Sequence, residues 1–479
     1  MSLDPPTYLN SLQNNIRARP IPWEGAVRAG TITDQDLKKI KAVDKVRKEQ
    51  RRQTVESDYA AYQSLLLGGD SGKSVFESAS KRPDVIQYIL VLTGDLLNDV
   101  PDLPSKLLDH PDPYKPFLPL LTYSTNQDDP IPTLTSSVLA SLIYNAQIKS
   151  PKLSPKTDEA LVKLYTYLSG LTKSSDTNQQ DIAVQEYSTV LRTKMSRELF
   201  WKQRKDTVDP LMDILRAAGG AERDGDSTLW SGAASIRTDT GLGGGVGLQL
   251  LYHVLLTLWQ LSFEGALVGK GLEEEHNIIP LFTHLLRLSP KEKTTRLLLS
   301  TLLNLINPSS NRTILLPIAV SARLPNLLSN LKGRHLNDPD LLEDLSTLTS
   351  MLEEYMSSQT TYDSYFAEIL SGHLHWSPPH RDPNFWRENA SKIITEEKSE
   401  IPRKLQEIMG KSWDNEKHVL AIACNDVGWL VKECPDKKGI LEKLGLKGRV
   451  MELMSDKDES VRYEALRTVG EWLRYSFDG

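Results

Sequence analysis

Three stretches of the chain carry residue types that could do chemistry. Leu67-Gly68-Gly69-Asp70-Ser71-Gly72-Lys73-Ser74 approaches a phosphate-binding loop, in which backbone amides and a lysine cradle phosphate oxygens. Leu67 stands where the first glycine belongs, however. Such a loop must also leave a strand, whereas residues 58–67 read as a helix, after which a glycine pair is an ordinary C-terminal cap. Gly241, Gly243, Gly244, Gly245 and Gly247 lack dinucleotide spacing and follow no strand pattern. His373 and His375 with His380 offer imidazoles to a metal, but Asp382 is the one carboxylate at ligand spacing and no thiolate is near. No nucleophile elbow, paired catalytic carboxylates or activated cysteine stands out. The expectation is a chain with no catalytic residue, no cofactor and no metal.

The elements that would have to position such groups are helices. Alternating β-branched runs are nearly absent, while apolar residues recur at helical spacing, as in Val184, Tyr187, Leu191, Met195 and Leu199, or Leu342, Leu345, Leu348 and Leu352. Each stripe needs a neighbouring helix to cover it. Helix starts are written in capping chemistry: Ser289-Pro290-Lys291-Glu292 reads as a capping box, and Asp209-Pro210 and Asp338-Pro339 pair an acidic cap with proline.

The helices recur at a beat. Prolines 280 and 325 lie 45 residues apart, and prolines 210 and 280 lie 70 apart. The longer interval holds residues 217–247, rich in glycine and small polar types, which read as a mobile inserted loop. Removing about 26 of them restores the ~40–47 residue spacing of armadillo/HEAT repeats. Tyr252, Val254, Leu255, Thr257, Leu258 and Leu261 superpose on Arg296, Leu298, Leu299, Thr301, Leu302 and Leu305 at an offset of 44. Asp414, Val419, Ala423, Val427 and Gly428 superpose on Asp456, Val461, Ala465, Val469 and Gly470 at an offset of 42. The fold class expected is all-α, an armadillo/HEAT-like helical repeat superhelix (α-solenoid) in two domains. A polar gap, Ser357 to Thr361, sets the boundary, giving 1–356 and 357–479.

Composition narrows the function. With 57 basic and 63 acidic residues and a net charge of −6, the chain has no basic footprint for nucleic acid. Two cysteines, Cys424 and Cys434, are too few for a disulfide scaffold and suit a reducing compartment. The beginning, MSLDPPTYLN, has no secretion-signal pattern, and the longest apolar stretch, 248–263, falls short of the ~20 residues of a membrane span.

Residues 361–389 are the densest part. Tyr362, Tyr365, Phe366, Trp376, Phe385 and Trp386 surround Pro378-Pro379 in a chain that is 7% aromatic. Pro379 disfavours a helical Pro378, so the backbone is expected to turn there, pinned by rings. Tyr365, Trp376, Pro378, Phe385 and Trp386 are the residues expected to pack between the two domains.

This stretch also carries a resemblance. Tyr362-Asp363-Ser364-Tyr365, Leu374-His375-Trp376-Ser377-Pro378 with His380, and Phe385-Trp386-Arg387-Glu388-Asn389 resemble the start of the C-terminal domain in the H-subunit family of the vacuolar proton-pumping ATPase (V-ATPase). Ile16-Arg17-Ala18 with Trp23 and Ile32, Gln249 to His253, Asn425-Asp426-Val427-Gly428 and residues 461–466 are similar as well. Residues 217–247 depart from the family and inherit nothing from it.

The resemblance implies a non-catalytic regulatory component of the cytosolic sector, not an enzyme, peripheral on the cytosolic face of vacuolar and other acidic organelle membranes. It implies that the N-terminal domain sits on a peripheral stalk built from the E and G subunits, where Arg17 and Trp23 are candidate contacts. The C-terminal domain would face the large a-subunit of the membrane sector in the assembled pump, helping to couple hydrolysis to proton transport. On detachment it would silence hydrolysis by contacting the A or B subunit of the catalytic sector and the rotor. The edge loop Gly410, Lys411, Ser412, Trp413, Asp414, Asn415, Glu416 and Lys417 is the candidate for that contact. The alternative is an unrelated armadillo/HEAT scaffold or cargo adaptor, which would need a ladder of Asn and Trp on successive third helices.

Overall fold

The computed structural model describes residues 6–69, 72–123, 129–150, 154–220, 247–289, 291–411, 413 and 416–474. Among them helices follow one another without a strand, and the one β-type pairing is an isolated bridge between Gly69 and Gly72. The chain divides into two compact units, Met1–Leu215 with Val246–Glu264, and Arg216–Gly245 with Gly265–Gly479. Residue 357 lies within the helix Pro339–Ser358, and that helix and the following one, Thr361–Ser371, both lie in the second unit. Most of the expected inserted loop, residues 221–246, lies outside the described residues.

Within each unit the side-chain hydrogen bonds report the repeat directly. In the first, Tyr88 Oη donates to Asp44 Oδ1 at 2.7 Å, 44 residues back; Tyr114 meets Thr157 at 3.1 Å, 43 apart; and Gln147 Nε2 donates to Val190 O at 2.6 Å, 43 apart. In the second, Asn311 reaches Gly265 O across 46 residues, Arg296 reaches Asp338 across 42, Asn425 reaches His380 O across 45 and Thr468 reaches Cys424 O across 44. A helix with an apolar stripe buries it against its neighbour one repeat away, and these polar bonds pin the register between them. His253–Asp181 and Gln260–Ser188 stand 72 residues apart, and leaving out about 26 residues between Ala217 and Gly247 returns them to the same interval. The interval lies in the armadillo/HEAT range of ~40–47 residues.

The superposed segments become helices whose ends match. Leu248–Ser262 and Glu292–Ile306 are each 15 residues long and start 44 apart. Lys417–Glu433 and Glu459–Arg474 start 42 apart and pack against each other. Small residues set how closely they approach: a Cβ on Gly428 would stand 2.6 Å from Thr468 Oγ1. Gly428→Leu is expected to destabilise the second unit by about 1–3 kcal/mol through overpacking. Thermal denaturation of the variant checks this, and a wild-type melting temperature would contradict it.

Several local expectations differ from what forms. The stripe from Val184 to Leu199 is split between helices Thr177–Val190 and Lys194–Lys202, because the Thr193 hydroxyl caps the second by accepting from Ser196 N. Residues 289–292 do not form a capping box: the next helix starts at Glu292 after Lys291, with no side-chain cap. Glu292 instead accepts from Asn337 N, 45 residues on, and the Ser289 hydroxyl accepts from Thr295. Leu342 is 44% exposed, and Leu341 takes the core position above Leu345, Leu348 and Leu352. Pro378 is helical, since Pro378 and Pro379 open the short helix Pro378–Arg381 where the missing amides have no bond to lose. The turn lies just before it, in residues 373–377.

The near-miss phosphate loop follows a helix, Tyr59–Leu67, whose cap is Gly68 at φ 89°, a conformation that favours glycine. Ser74 opens the next helix by accepting from Glu77 N at 3.2 Å. Asp70 and Ser71 lie outside the described residues.

Candidate functional site

The helix Thr361–Ser371 begins at a reciprocal cap, with Thr360 accepting from Asp363 N and Asp363 from Thr360 N. It ends at Gly372, φ 78°. The chain then turns through residues 373–377 and enters Pro378–Arg381, which carries His380 inward against Lys417–Glu433. There His380, fully buried, places Nδ1 2.8 Å from both Asp426 carboxylate oxygens and Nε2 3.4 Å from Glu368 Oε1.

Every other partner of Asp426 is also a donor. Tyr365 Oη donates to Oδ2 at 3.2 Å and Asn425 Nδ2 to Oδ1 at 3.0 Å. Asn425 Nδ2 also donates to His380 O at 2.9 Å, and Asn425 Oδ1 accepts from Arg467. Glu368 accepts from His375 N at 2.7 Å and from Ser377 Oγ at 2.8 Å, so it ties the turn to the cluster.

Burial alone would lower the His380 pKa, but Asp426 and then Glu368 outweigh it and raise it to about 10. Burial pushes Asp426 up while the imidazolium and Asn425 pull it down. Because three donors converge on Asp426, the ionised carboxylate beside a charged His380 is the state the geometry favours. Glu368 lies below the usual carboxylate range, since the His380 contact and two donors outweigh its burial. The cluster holds helices 361–371, 378–381 and 417–433 in one arrangement; His380 and Asp426 are fully enclosed, while Glu368 borders a cleft.

The other histidines are engaged separately. His373 sits edge-on to Trp413 at 5.8 Å, and burial pushes its pKa down to about 3. His375 stacks on His418 at 6.0 Å, both lowered by burial. Beside that stack opens a cleft of about 840 Å³, lined among others by Arg323, Trp376, Pro378 and Pro379.

The five aromatic-joint residues divide. Tyr365, Phe385 and Trp386 join the core cluster that also contains Ile408, Val427, Leu430 and Trp472. Trp376 is half-buried under the Arg381 guanidinium at 4.9 Å, and with Pro378 it forms a wall of the cleft.

Of the edge loop, Ser412, Asp414 and Asn415 lie outside the described residues. Trp413 is 5% exposed and donates Nε1–H to Ile408 O at 2.8 Å. Glu416 is buried, Lys417 lies 3.3 Å from Asp456, and Gly410 and Lys411 are exposed, Lys411 being 3.4 Å from Glu407.

In the first unit Arg17 grips Asp95 with Nη2 at 2.6 Å and Nε at 3.2 Å, its side chain 38% exposed. Trp23 is buried, edge-on to Tyr88 at 5.5 Å. Sequence reasoning did not single out Glu368 or the Asp426–His380 pairing. A signal was present, because an aspartate inside the apolar run VLAIACNDVGWLV implies a buried partner.

No single described helix is long and apolar enough to cross a membrane. Two family models of the V-ATPase H subunit match the chain, one over residues 7–352 and the other over 358–477. The V-type proton ATPase H subunit of Drosophila melanogaster is 28% identical over 469 residues, covering 97% of this chain and 89% of its own. The probable V-type proton ATPase H subunit of Oryza sativa subsp. japonica is 28% identical over 466 residues, 94% of each. Among solved structures, a designed armadillo repeat protein covers 66% of this chain and 98% of its own at 9% identity and a TM-score of 0.36. With both models matching and together spanning most of its length, the chain belongs to the V-ATPase H-subunit family.

Proposed function

We propose that this chain is a non-catalytic regulatory component of the cytosolic sector of a V-type proton ATPase. It couples hydrolysis to proton transport in the assembled pump and silences hydrolysis when the sector detaches. The observation that carries the reading is the match of both domain models, over 7–352 and 358–477. In this reading residues 1–356 seat on the stalk of E and G subunits, on the cytosolic face of an acidifying organelle. Residues 357–479 face the large a-subunit in the pump, and the A or B subunit of the catalytic sector with the rotor after detachment.

A part with two resting places needs a joint. The chain supplies a candidate at Gln359, the extended residue between the end of Pro339–Ser358 and the Thr360 cap. Moving such an equilibrium from 1:99 to 99:1 requires partners that distinguish the poses by about 5.5 kcal/mol.

The test uses the edge loop in the full chain. Exchanging Lys411, Ser412, Asp414 and Asn415 while keeping the buried Trp413 and Glu416 should leave binding to the detached sector intact. Inhibition of its ATP hydrolysis should fall at least about tenfold, or about 1.4 kcal/mol. Full inhibition by the exchanged loop would remove it as the silencing contact.

Arg17 allows a separate test of the stalk contact. Its partly exposed ion pair is worth about 1 kcal/mol or less to stability after solvent screening. Arg17→Ala should therefore melt close to wild type yet bind the E–G stalk more weakly, as titration would show. Trp23 is a poorer probe, since truncating a buried tryptophan costs about 3 kcal/mol or more by itself.

A further inference from the structure

The outer face of the helix Glu459–Arg474 is apolar. Tyr463, Leu466 and Leu473 are 63%, 52% and 50% exposed, and with Gly470 they follow one another at spacings of three, four and three residues, on one side. The opposite side, with Val461, Ala465, Thr468 and Trp472, is buried. The 42-residue repeat says what the outer face is for. One repeat earlier its positions are Ala421, Cys424, Gly428 and Val431 of Lys417–Glu433, all buried. That is the face on which Glu459–Arg474 itself lies: Thr468 Oγ1 donates to Cys424 O at 2.7 Å and closes over Gly428. The same receiving face is thus repeated one step outward, with no described residue over it.

We propose that this face docks an α-helix of another component of the ATPase, laid alongside Glu459–Arg474 as that helix lies alongside Lys417–Glu433. The inference rests on the proposed function and names the surface used. The occupant's chemistry follows from the repeat. Gly470 has open space around its Cβ position and takes a small or hydroxyl residue in close approach, as Gly428 takes Thr468. Arg467 is held on the inner side by Asn425 and by Glu464 at 3.0 Å, so it sets no requirement on the occupant. Where Lys417 meets Asp456, the outer helix offers Glu459, so the occupant supplies a base toward that end. A second copy of this chain cannot dock in this mode, because the inner side of its own Glu459–Arg474 is already covered.

The experiment adds the full chain to purified ATPase lacking it, as wild type, Leu466→Glu or Gly470→Leu, and titrates binding. Both positions are exposed, so both variants should melt no lower than wild type, and Gly470→Leu somewhat higher because glycine is a poor helix former. Each should bind at least about tenfold more weakly. A photocrosslinker at position 466 should join a helical segment of another ATPase component. Wild-type affinity in both variants, or a 466 adduct between two copies of this chain, overturns the docking face while the family-based function stands. Failure of the wild-type chain to bind overturns that function, and this inference with it.

Discussion

Replacing His380 with alanine is expected to destabilise the C-terminal helices by about 3–5 kcal/mol, the cost of breaking a buried pair from one side. The substitution leaves Asp426 and Glu368 buried without the cation between them, while Tyr365 and Asn425 still point at a charge that burial then disfavours. Urea denaturation followed by tryptophan fluorescence measures it, with Trp386, Trp413 and Trp472 reporting from the same core.

The effect carries a pH signature. A histidine raised from 6.5 to about 10 on folding contributes fully below pH 6.5, and its contribution is lost as pH rises through about 10. The gap between wild type and His380→Ala should therefore be widest below pH 6.5 and shrink toward pH 10. Glu368, lowered on folding, has the opposite limb: its share is present above 4.5 and lost as pH falls. His373 also loses its share in acid, from 6.5 down toward 3. A gap that stayed constant between pH 6 and 10 would contradict a charged His380 at the centre of the cluster.

Trp386→Ala should be as damaging, about 3–5 kcal/mol, through lost packing. The indole is fully buried, with Tyr365 edge-on at 5.3 Å, Phe385 edge-on at 5.4 Å and Trp429 parallel at 6.4 Å. No neighbour of that size can collapse into the space. Trp376→Ala supplies the contrast: Trp376 is half-buried on the cleft wall, so its loss should cost clearly less. If the two variants melted together, the placement of Trp386 in the core and Trp376 at its edge would be wrong.

The repeat was legible because stacking imposes the same burial on positions about 44 residues apart, and helix starts such as Asp338-Pro339 satisfy their own amides locally. What failed to read through was decided by partners far along the chain. Glu292 looked like a local capping residue but spends its carboxylate on Asn337. The Val184 to Leu199 stripe kept its period across a break made by one threonine. The charged cluster was the least legible part of the candidate site, because Glu368, His380 and Asp426 come from three helices, and the 46-residue interval between His380 and Asp426 marks a stacked neighbour without saying that the two would pair. Trp413 shows the same limit in the edge loop, where a residue read as a partner contact has its ring and its N–H inside the core.

The tie between His253 and Asp181 is a bond of ordinary neighbours that happens to span 72 positions. Because each layer answers to the layers beside it, two helices stay neighbours whether 44 or 72 positions separate their paired residues. Adjacency in the stack is thus set by which faces meet, and the count of residues between them is free to vary.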